Sequence, residues 1–272
     1  MASEHALNPA GRPAAAGADA GPWRNPWTLA ALGVAAVLTF WSATGSTPAV
    51  VTHLWRWLPV LLRGLLVNIE ISVLAMALGT LAGLAIGALS LSPSRALRVL
   101  VRWYVQVFRN APVLVLIYFT TYVFPFELQV ARWIVPFPDW IKVVLGLALP
   151  ASAIVAEIFR GAIQSIPSAQ WEAAQSLAFR RGEIFRLIVL PQCVRRMLPP
   201  WMNLYASITM STSLASLVGV HDVVDTAQIA SNTVARTDFT ILVYCTLLGL
   251  FFAYCYPIAR ATRALERRHE RH

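Results

Sequence analysis

The chain has 272 residues, of which 57% are apolar and 13% charged, with a formal net charge of +9. An ordinary soluble domain carries roughly 25% charged residues, so this composition excludes disorder, a collagen-like chain and a conventional cytosolic enzyme, and points to a helical membrane protein. The three cysteines, Cys193, Cys245 and Cys255, form no CxxC pair and no cluster with histidine, which argues against a disulfide scaffold or a metal site.

A helix that crosses the hydrocarbon core needs about 20 predominantly apolar residues. Residues 1–24, rich in Ala, Gly and Pro with mixed charge, read as a disordered cytoplasmic tail. The first transmembrane helix is expected within Asn25–Thr52, followed by an external connection that completes residues 25–63. The second span is Leu65–Leu91, the third about Tyr104–Phe126 with Arg109 near its start, and the fourth about Val143–Arg160. The fifth is Leu198–Val220 and the sixth Phe239–Ala259. The expected fold class is therefore all-α, a polytopic membrane protein of about six helices. Its core would occupy residues 64–259, with an internal loop at 161–198 and a basic cytoplasmic tail at 260–272.

Orientation follows from the arginines. With both termini inside, seventeen of the 22 basic residues fall in internal segments and five in external ones, as the positive-inside rule requires. The pI of about 10.2 is then a sign of topology and not of nucleic-acid binding. Trp27, Trp41, Trp103, Trp140 and Trp201 fall at span ends, where interfacial aromatics belong. The sole lysine, Lys142, has no Gly-rich loop before it, so the chain has no P-loop. If ATP drives its work, another chain binds the ATP.

In the second span Gly79, Gly83 and Gly87 stand four apart and form one small-residue stripe, which lets a neighbouring backbone approach closely. Glu70 lies near the outer end of that span, placed to reach headgroups or a substrate mouth. Glu157 and Arg160 stand three apart on one helical face and can pair. The internal segment 161–198 is amphipathic and arginine-rich. Pro167-Ser168 can start a helix with Ser168 as its N-cap, continued by Gln170–Leu177 with small Ala173 and Ala174 adjacent. Such a helix suits docking in a partner's groove or lying on the bilayer, and the residues alone leave both readings open. His221 and Asp222 follow the fifth span on the outside, where they could touch a docking protein.

One pattern is more specific. Glu172-Ala173-Ala174, three residues, Ala178, nine residues, Ile188, one residue, Leu190-Pro191 resembles the EAA motif of ABC-importer permeases, EAA-x3-G-x9-I-x-LP. Further stretches are similar to the polar amino-acid permease branch of type I importers. These are Arg109-Asn110-Ala111-Pro112, Ala156-Glu157-Ile158-Phe159-Arg160-Gly161-Ala162-Ile163, Gln170-Trp171-Glu172-Ala173-Ala174, Leu190-Pro191-Gln192 with Pro199 and Asn203, and Thr212-Ser213-Leu214. The likeness runs from about Gly64 to the sixth span.

The resemblance implies a permease subunit of the bacterial inner membrane with both termini cytoplasmic. A second permease chain, identical or paralogous, would pair with it, and a separate ATPase would bind ATP and Mg. An external solute-binding protein would deliver a polar amino acid or related solute, and membrane lipid would surround the whole. In this reading Gln170–Ala178 is the coupling helix, Glu172 holds the loop through polar contacts, Ala173 and Ala174 permit close approach, and Pro191 ends a second short helix. The translocation path or gate would draw on Glu70, Arg109, Pro112, Glu157, Arg160, Asn203, Met210 and Ser213. The chain itself would have no catalytic residue, metal or cofactor.

Three positions depart from the family pattern. Ala178 stands where the motif has glycine, a place for a left-handed residue, and Gly182 is positioned to take over that turn. Ala169-Gln170 replaces Gly-Gln, and Met210-Ser211 replaces a Lys-Asp pair before Thr-Ser-Leu. Rival readings are a proton-coupled secondary transporter that uses Glu70 and Glu157, which gives no reason for the EAA spacing, or a membrane scaffold with no transport path, which would tolerate Glu172→Lys.

Overall fold

The computed structural model describes residues 48–130 and 133–269. The expected tail at 1–24, most of the first span (residues 25–47) and the last three residues lie outside the described residues.

Helix α1 runs Pro48–Ser90 without interruption. The external connection expected at 53–63 is therefore helical. Pro59, the only proline inside α1, removes a single donor, and Leu61 in the same stretch is fully buried. At 1.5 Å per residue α1 is about 64 Å long, roughly twice the bilayer core.

The third expected span is broken. Helix α2, Arg95–Asn110, and helix α3, Val113–Val123, meet at 105°. The break follows from Pro112, which excludes the helical region for the residue before it; Ala111 and Pro112 are both extended. After α3 comes a two-stranded antiparallel hairpin, β1 Glu127–Val130 and β2 Trp133–Pro136, paired Glu127 to Pro136. Apolar content alone gave no sign of it.

Helix α4 spans Asp139–Gln164, longer at both ends than the expected Val143–Arg160. The N-terminal extension is possible because its charges pair: Lys142 Nζ donates to Asp139 Oδ1 at 3.0 Å and sits 3.8 Å from the centroid of the Phe126 ring. Lys142 is fully buried, which ties the hairpin to the start of α4.

Helix α5, Ser168–Ser176, precedes a turn at Arg181–Glu183 and a π-helical stretch, Ile184–Val189. Helix α6 then runs Leu190–Ser211 and passes into a 3-10 stretch, Thr212–Val218, closed by Gly219 at φ 83°. The loop at 161–198 is thus mostly helical. Pro191 does not end a helix but lies in the first turn of α6, where its missing N–H is harmless. The π register before it supports this: Leu190 N–H bonds back five residues to the Phe185 carbonyl. Helix α7, Val223–Val234, and helix α8, Thr237–His269, complete the chain. The basic segment from residue 260 to 269 belongs to α8 and is not a separate tail.

Three helices among the described residues are each long and apolar enough to cross a membrane: α1 from Ala49, α4, and α8 over Thr237–Leu265. The α2–α3 pair makes a fourth if counted as one broken span. The expected fifth span is divided between α6 and the 3-10 stretch and is too rich in polar residues to rank with them.

The glycine stripe forms the central seam. A Cβ added to Gly79 would stand 2.7 Å from Ala151 Cβ, one on Gly83 2.6 Å from the Ser152 carbonyl oxygen, and one on Gly87 2.7 Å from Phe159 Cδ1. Both numberings rise together, so α1 and α4 run parallel and in contact, and the core of Ile71, Met76, Ile117, Val143, Leu147, Val155 and Ile208 packs around them. This topology sorts the molecule by charge. The junctions α1–α2, α4–α5 and α5–α6, and the end of α8, gather the arginines at one end. The α6–α7 junction and the start of α4 lie at the opposite end.

Candidate functional site

The arginine-rich end carries the EAA segment. Pro167 takes the cap position of α5 and Ser168 is its first residue, with no side-chain cap bond. The helix closes in a Schellman turn: Ala178 N–H bonds to the Gln175 carbonyl (2.9 Å) and Phe179 N–H to the Ala174 carbonyl (3.2 Å). Ala178 stands at φ 60°, the left-handed conformation that the motif's glycine would adopt freely. Gly182 does not replace it, for it sits inside the Arg181–Glu183 turn.

The two alanines part company. Ala174 is buried with Ile166, Ile184, Val189 and Cys193, whereas Ala173 and Glu172 are exposed. Among the described residues the Glu172 side chain makes no hydrogen bond or ion pair; its carbonyl accepts from Ser176 Oγ at 3.0 Å. The tie is made by Gln170, whose Oε1 accepts from Gln192 Nε2 at 2.7 Å, while the same Nε2 donates to the Ile188 carbonyl at 3.0 Å. Ile188 packs against the buried cluster beneath α5; Leu190 is half-buried and Pro191 exposed. Beside the helix, Leu177 and Phe179 are 74% and 38% exposed. Two apolar residues in an otherwise basic loop were the signal for this exposed apolar edge, and the motif pattern passes over them.

At the same end Arg160 clasps Glu157 through Nη2–Oε2 (2.6 Å) and Nε–Oε1 (3.2 Å), as their spacing implied. Arg109 joins from α2 at 3.8 Å. Pro112 sets the bend that follows Asn110 and is itself exposed. Between α4 and α6 a cleft of about 420 Å³ is lined by Glu157, Gly161, Ser165, Arg196 and Pro200. On α6, Asn203, Ser207 and Met210 are exposed at helical spacing on one face. Ser213 turns back, its hydroxyl donating to the Met210 carbonyl at 2.8 Å.

Glu70 is exposed on α1 and is not brought to these groups. By the register of the glycine seam it stands level with about residue 141 of α4, roughly 24 Å of helix from Glu157. Its neighbour Asn68 is the residue that the sequence reading missed. Fully buried, Asn68 donates through Nδ2 to Thr212 Oγ1 and to Asp222 Oδ2, both at 3.0 Å, and accepts from Val223 N–H at 3.0 Å. Asp222 is also fully buried, so its side chain is not available to a docking protein. It caps α7 by accepting from the N–H groups of Val224 (3.0 Å) and Asp225 (2.9 Å). Burial pushes its carboxyl up to about 6, against the lowering effect of these donors. His221 is exposed and lies 2.7 Å from Asp225 Oδ2.

The model of the family described as binding-protein-dependent transport system inner membrane component matches residues 75–270. The octopine transport system permease protein OccM of Rhizobium radiobacter is 30% identical, over 78% of this chain and 87% of its own length. The L-cystine transport system permease protein TcyB of Bacillus subtilis is 28% identical, over 79% and 88%. Among solved structures, an amino acid ABC transporter with histidines aligns at a TM-score of 0.67 and 24% identity, covering 79% of this chain and 96% of that one. The inward-facing MetNI methionine ABC transporter aligns at 0.55 and 16%, covering 75% and 95%. At these identities the solved structures speak for the fold, and the match of sequence over most of the chain speaks for descent. The chain belongs to the family of binding-protein-dependent transport system inner membrane components.

Proposed function

We propose that the chain is the permease subunit of an ATP-driven importer that carries a polar amino acid or related small solute handed over by an external binding protein. The observation that carries this reading is α5, a short helix held by Gln170–Gln192 against α6 with Glu172, Ala173 and Leu177 exposed. The names of the relatives, which are permeases for octopine and cystine, support the solute class. The positive-inside rule turns the arginine-rich end and both termini to the cytoplasm.

In this reading α5 docks in a groove of a separate ATPase, which binds ATP and Mg. In the same reading the chain supplies no nucleotide site of its own, which accords with the absence of a P-loop from its sequence. Two permease chains, identical or paralogous, pair around a central path. Closure of the ATPases moves α5, the Gln170–Gln192 bond passes the motion to α6, and the exposed face of α6 with Asn203 and Met210, continued by Ser213, lines the path. Glu70 stands at the outer mouth, and the Arg109–Glu157–Arg160 cluster, with the bend at Pro112, braces the inner one. The distance between Glu70 and Glu157 counts against a direct proton relay between them.

The test is affinity purification of the chain from its native membrane, with the co-purifying proteins identified. An ATPase recovered with it and lost on Glu172→Lys, with membrane insertion intact, is the expected result. Uptake that persists in Glu172→Lys or Ala173→Arg would remove the coupling role from α5.

A further inference from the structure

We propose that α2 lies flat in the headgroup layer of the leaflet at the arginine-rich end and binds anionic phospholipid through Arg95, Arg98 and Arg102. The proposal rests on the membrane reading of the chain and not on its solute or its ATPase.

Three observations lead there. Helix α2 has four arginines and no acidic residue. At 100° per residue Arg95, Arg98, Arg102 and Arg109 fall within an arc of about 60°. Arg109 reaches Glu157, and Arg98 gives one nitrogen to the Ser92 and Pro93 carbonyls. Arg95 and Arg102 are exposed and make no ion pair among the described residues.

On the opposite side of the helix Leu97, Leu100, Trp103 and Val107 form a second row, between 38% and 67% exposed. The face that meets the bundle, Val101 and Val105, lies between the two rows. A helix divided this way has its apolar row to one side of the protein contact and its cations to the other, as an interfacial helix requires.

Depth agrees with this division. Val101 and Val105 pack against Ala156 and Ile86; Ile86 is four residues short of the end of α1 at Ser90, and Ala156 four residues short of Arg160, the last charged residue of α4. Four residues are about 6 Å, within the 5–10 Å at which interfacial helices lie. The 105° bend at Pro112 provides the remaining geometry: if α3 follows the membrane normal, α2 runs about 15° from the membrane plane.

Depth-resolved quenching would test the proposal. The permease with its ATPase is reconstituted into vesicles of phosphatidylcholine with a minority of phosphatidylglycerol, and a bimane probe is attached at Leu100→Cys in a background without the native cysteines. A nitroxide carried near the headgroup is expected to quench the probe more than one near the acyl terminus. Nitroxide phosphatidylglycerol should quench about twofold more than nitroxide phosphatidylcholine, a preference removed by Arg95→Gln with Arg102→Gln. High salt should erase the same preference in the unsubstituted arginine background, which keeps the test decisive if the double variant fails to assemble. No quenching by any lipid would mean that protein, such as a second permease chain, covers this face. Strongest quenching from the acyl terminus, or equal quenching by the two headgroups, would likewise overturn the proposal.

Discussion

Asn68 and Asp222 meet across 154 residues of sequence through a 3.0 Å hydrogen bond in a site that neither shares with solvent. Asn68 belongs to α1, and Asp222 caps α7 at the point where the 3-10 end of α6 turns back. One carboxamide thus binds three elements at the end of the molecule opposite α5. Replacing Asn68 by Ala leaves the Thr212 hydroxyl and the Asp222 carboxylate short of a partner, and one unsatisfied buried group costs about 1–3 kcal/mol. A matching fall in the midpoint of thermal unfolding of the purified complex is expected. An unchanged midpoint would show that the node is not structural.

The same node should make stability depend on pH. Burial holds the Asp222 carboxyl at about 6, above its ordinary 3.8. A carboxyl raised in the folded state contributes stability that is fully present below its unfolded value and lost as pH rises through its folded one. Unfolding midpoints of the native chain should therefore decline across that window relative to Asp222→Asn, which keeps the cap and does not titrate. Parallel curves for the two proteins would count against the shift.

Gly83→Leu is expected to separate α1 from α4, because even a Cβ there meets the Ser152 oxygen at 2.6 Å and Val155 Cβ at 2.6 Å. Overpacking of this kind costs roughly 1–3 kcal/mol or more. Gly249→Ala, in α8 with nothing within 4 Å of the added carbon, should be neutral or stabilise by about 0.5–1 kcal/mol. Folded yield from membranes, compared for the two variants, checks the contrast. Equal yields would mean that the seam is not close-packed.

Ala178→Gly relieves a left-handed alanine, worth about 1 kcal/mol, and should raise the unfolding midpoint with uptake retained. Ala178→Val should lower it, since a branched Cβ is least tolerated at φ 60°. Identical midpoints for all three residues would show that α5 frays before the protein unfolds.

Gln192→Ala removes the tie between α5 and α6 and leaves the exposed surface of α5 untouched. The expected result is several-fold weaker solute uptake with ATP hydrolysis retained, measured on the reconstituted importer. Loss of the ATPase from the complex would place Gln192 in docking instead of transmission.

What could be read from the sequence was whatever is written at short spacing. Gly79, Gly83 and Gly87 stand on one helical face by arithmetic, and Glu157 with Arg160 likewise. The left-handed position at Ala178 follows from a motif whose residues are all within one loop. Apolar averaging hid two features: the bend at Pro112, because the apolar run of Val113–Val123 carries the average of the expected Tyr104–Phe126 span across the break, and the continuity of α1 through Arg56 and Arg63. The Asn68 node could not be read, because a single polar residue in an apolar stretch does not name a partner that lies so far along the chain. The roles of Ala173 and Ala174 were divided by burial, which their adjacency conceals.

The three glycines of α1 repeat every four residues, a spacing of about 6 Å along the axis, and each receives atoms of α4 where a side chain would otherwise stand. A slide along the axis would carry those atoms off the glycines and against the side chains that flank them. The seam therefore works as a toothed rack: it holds its two helices in a single register and permits them to swing only together. Relative motion is left to what lies outside the seam, where the bend at Pro112, the Gln192 tie and the Asn68 node are found.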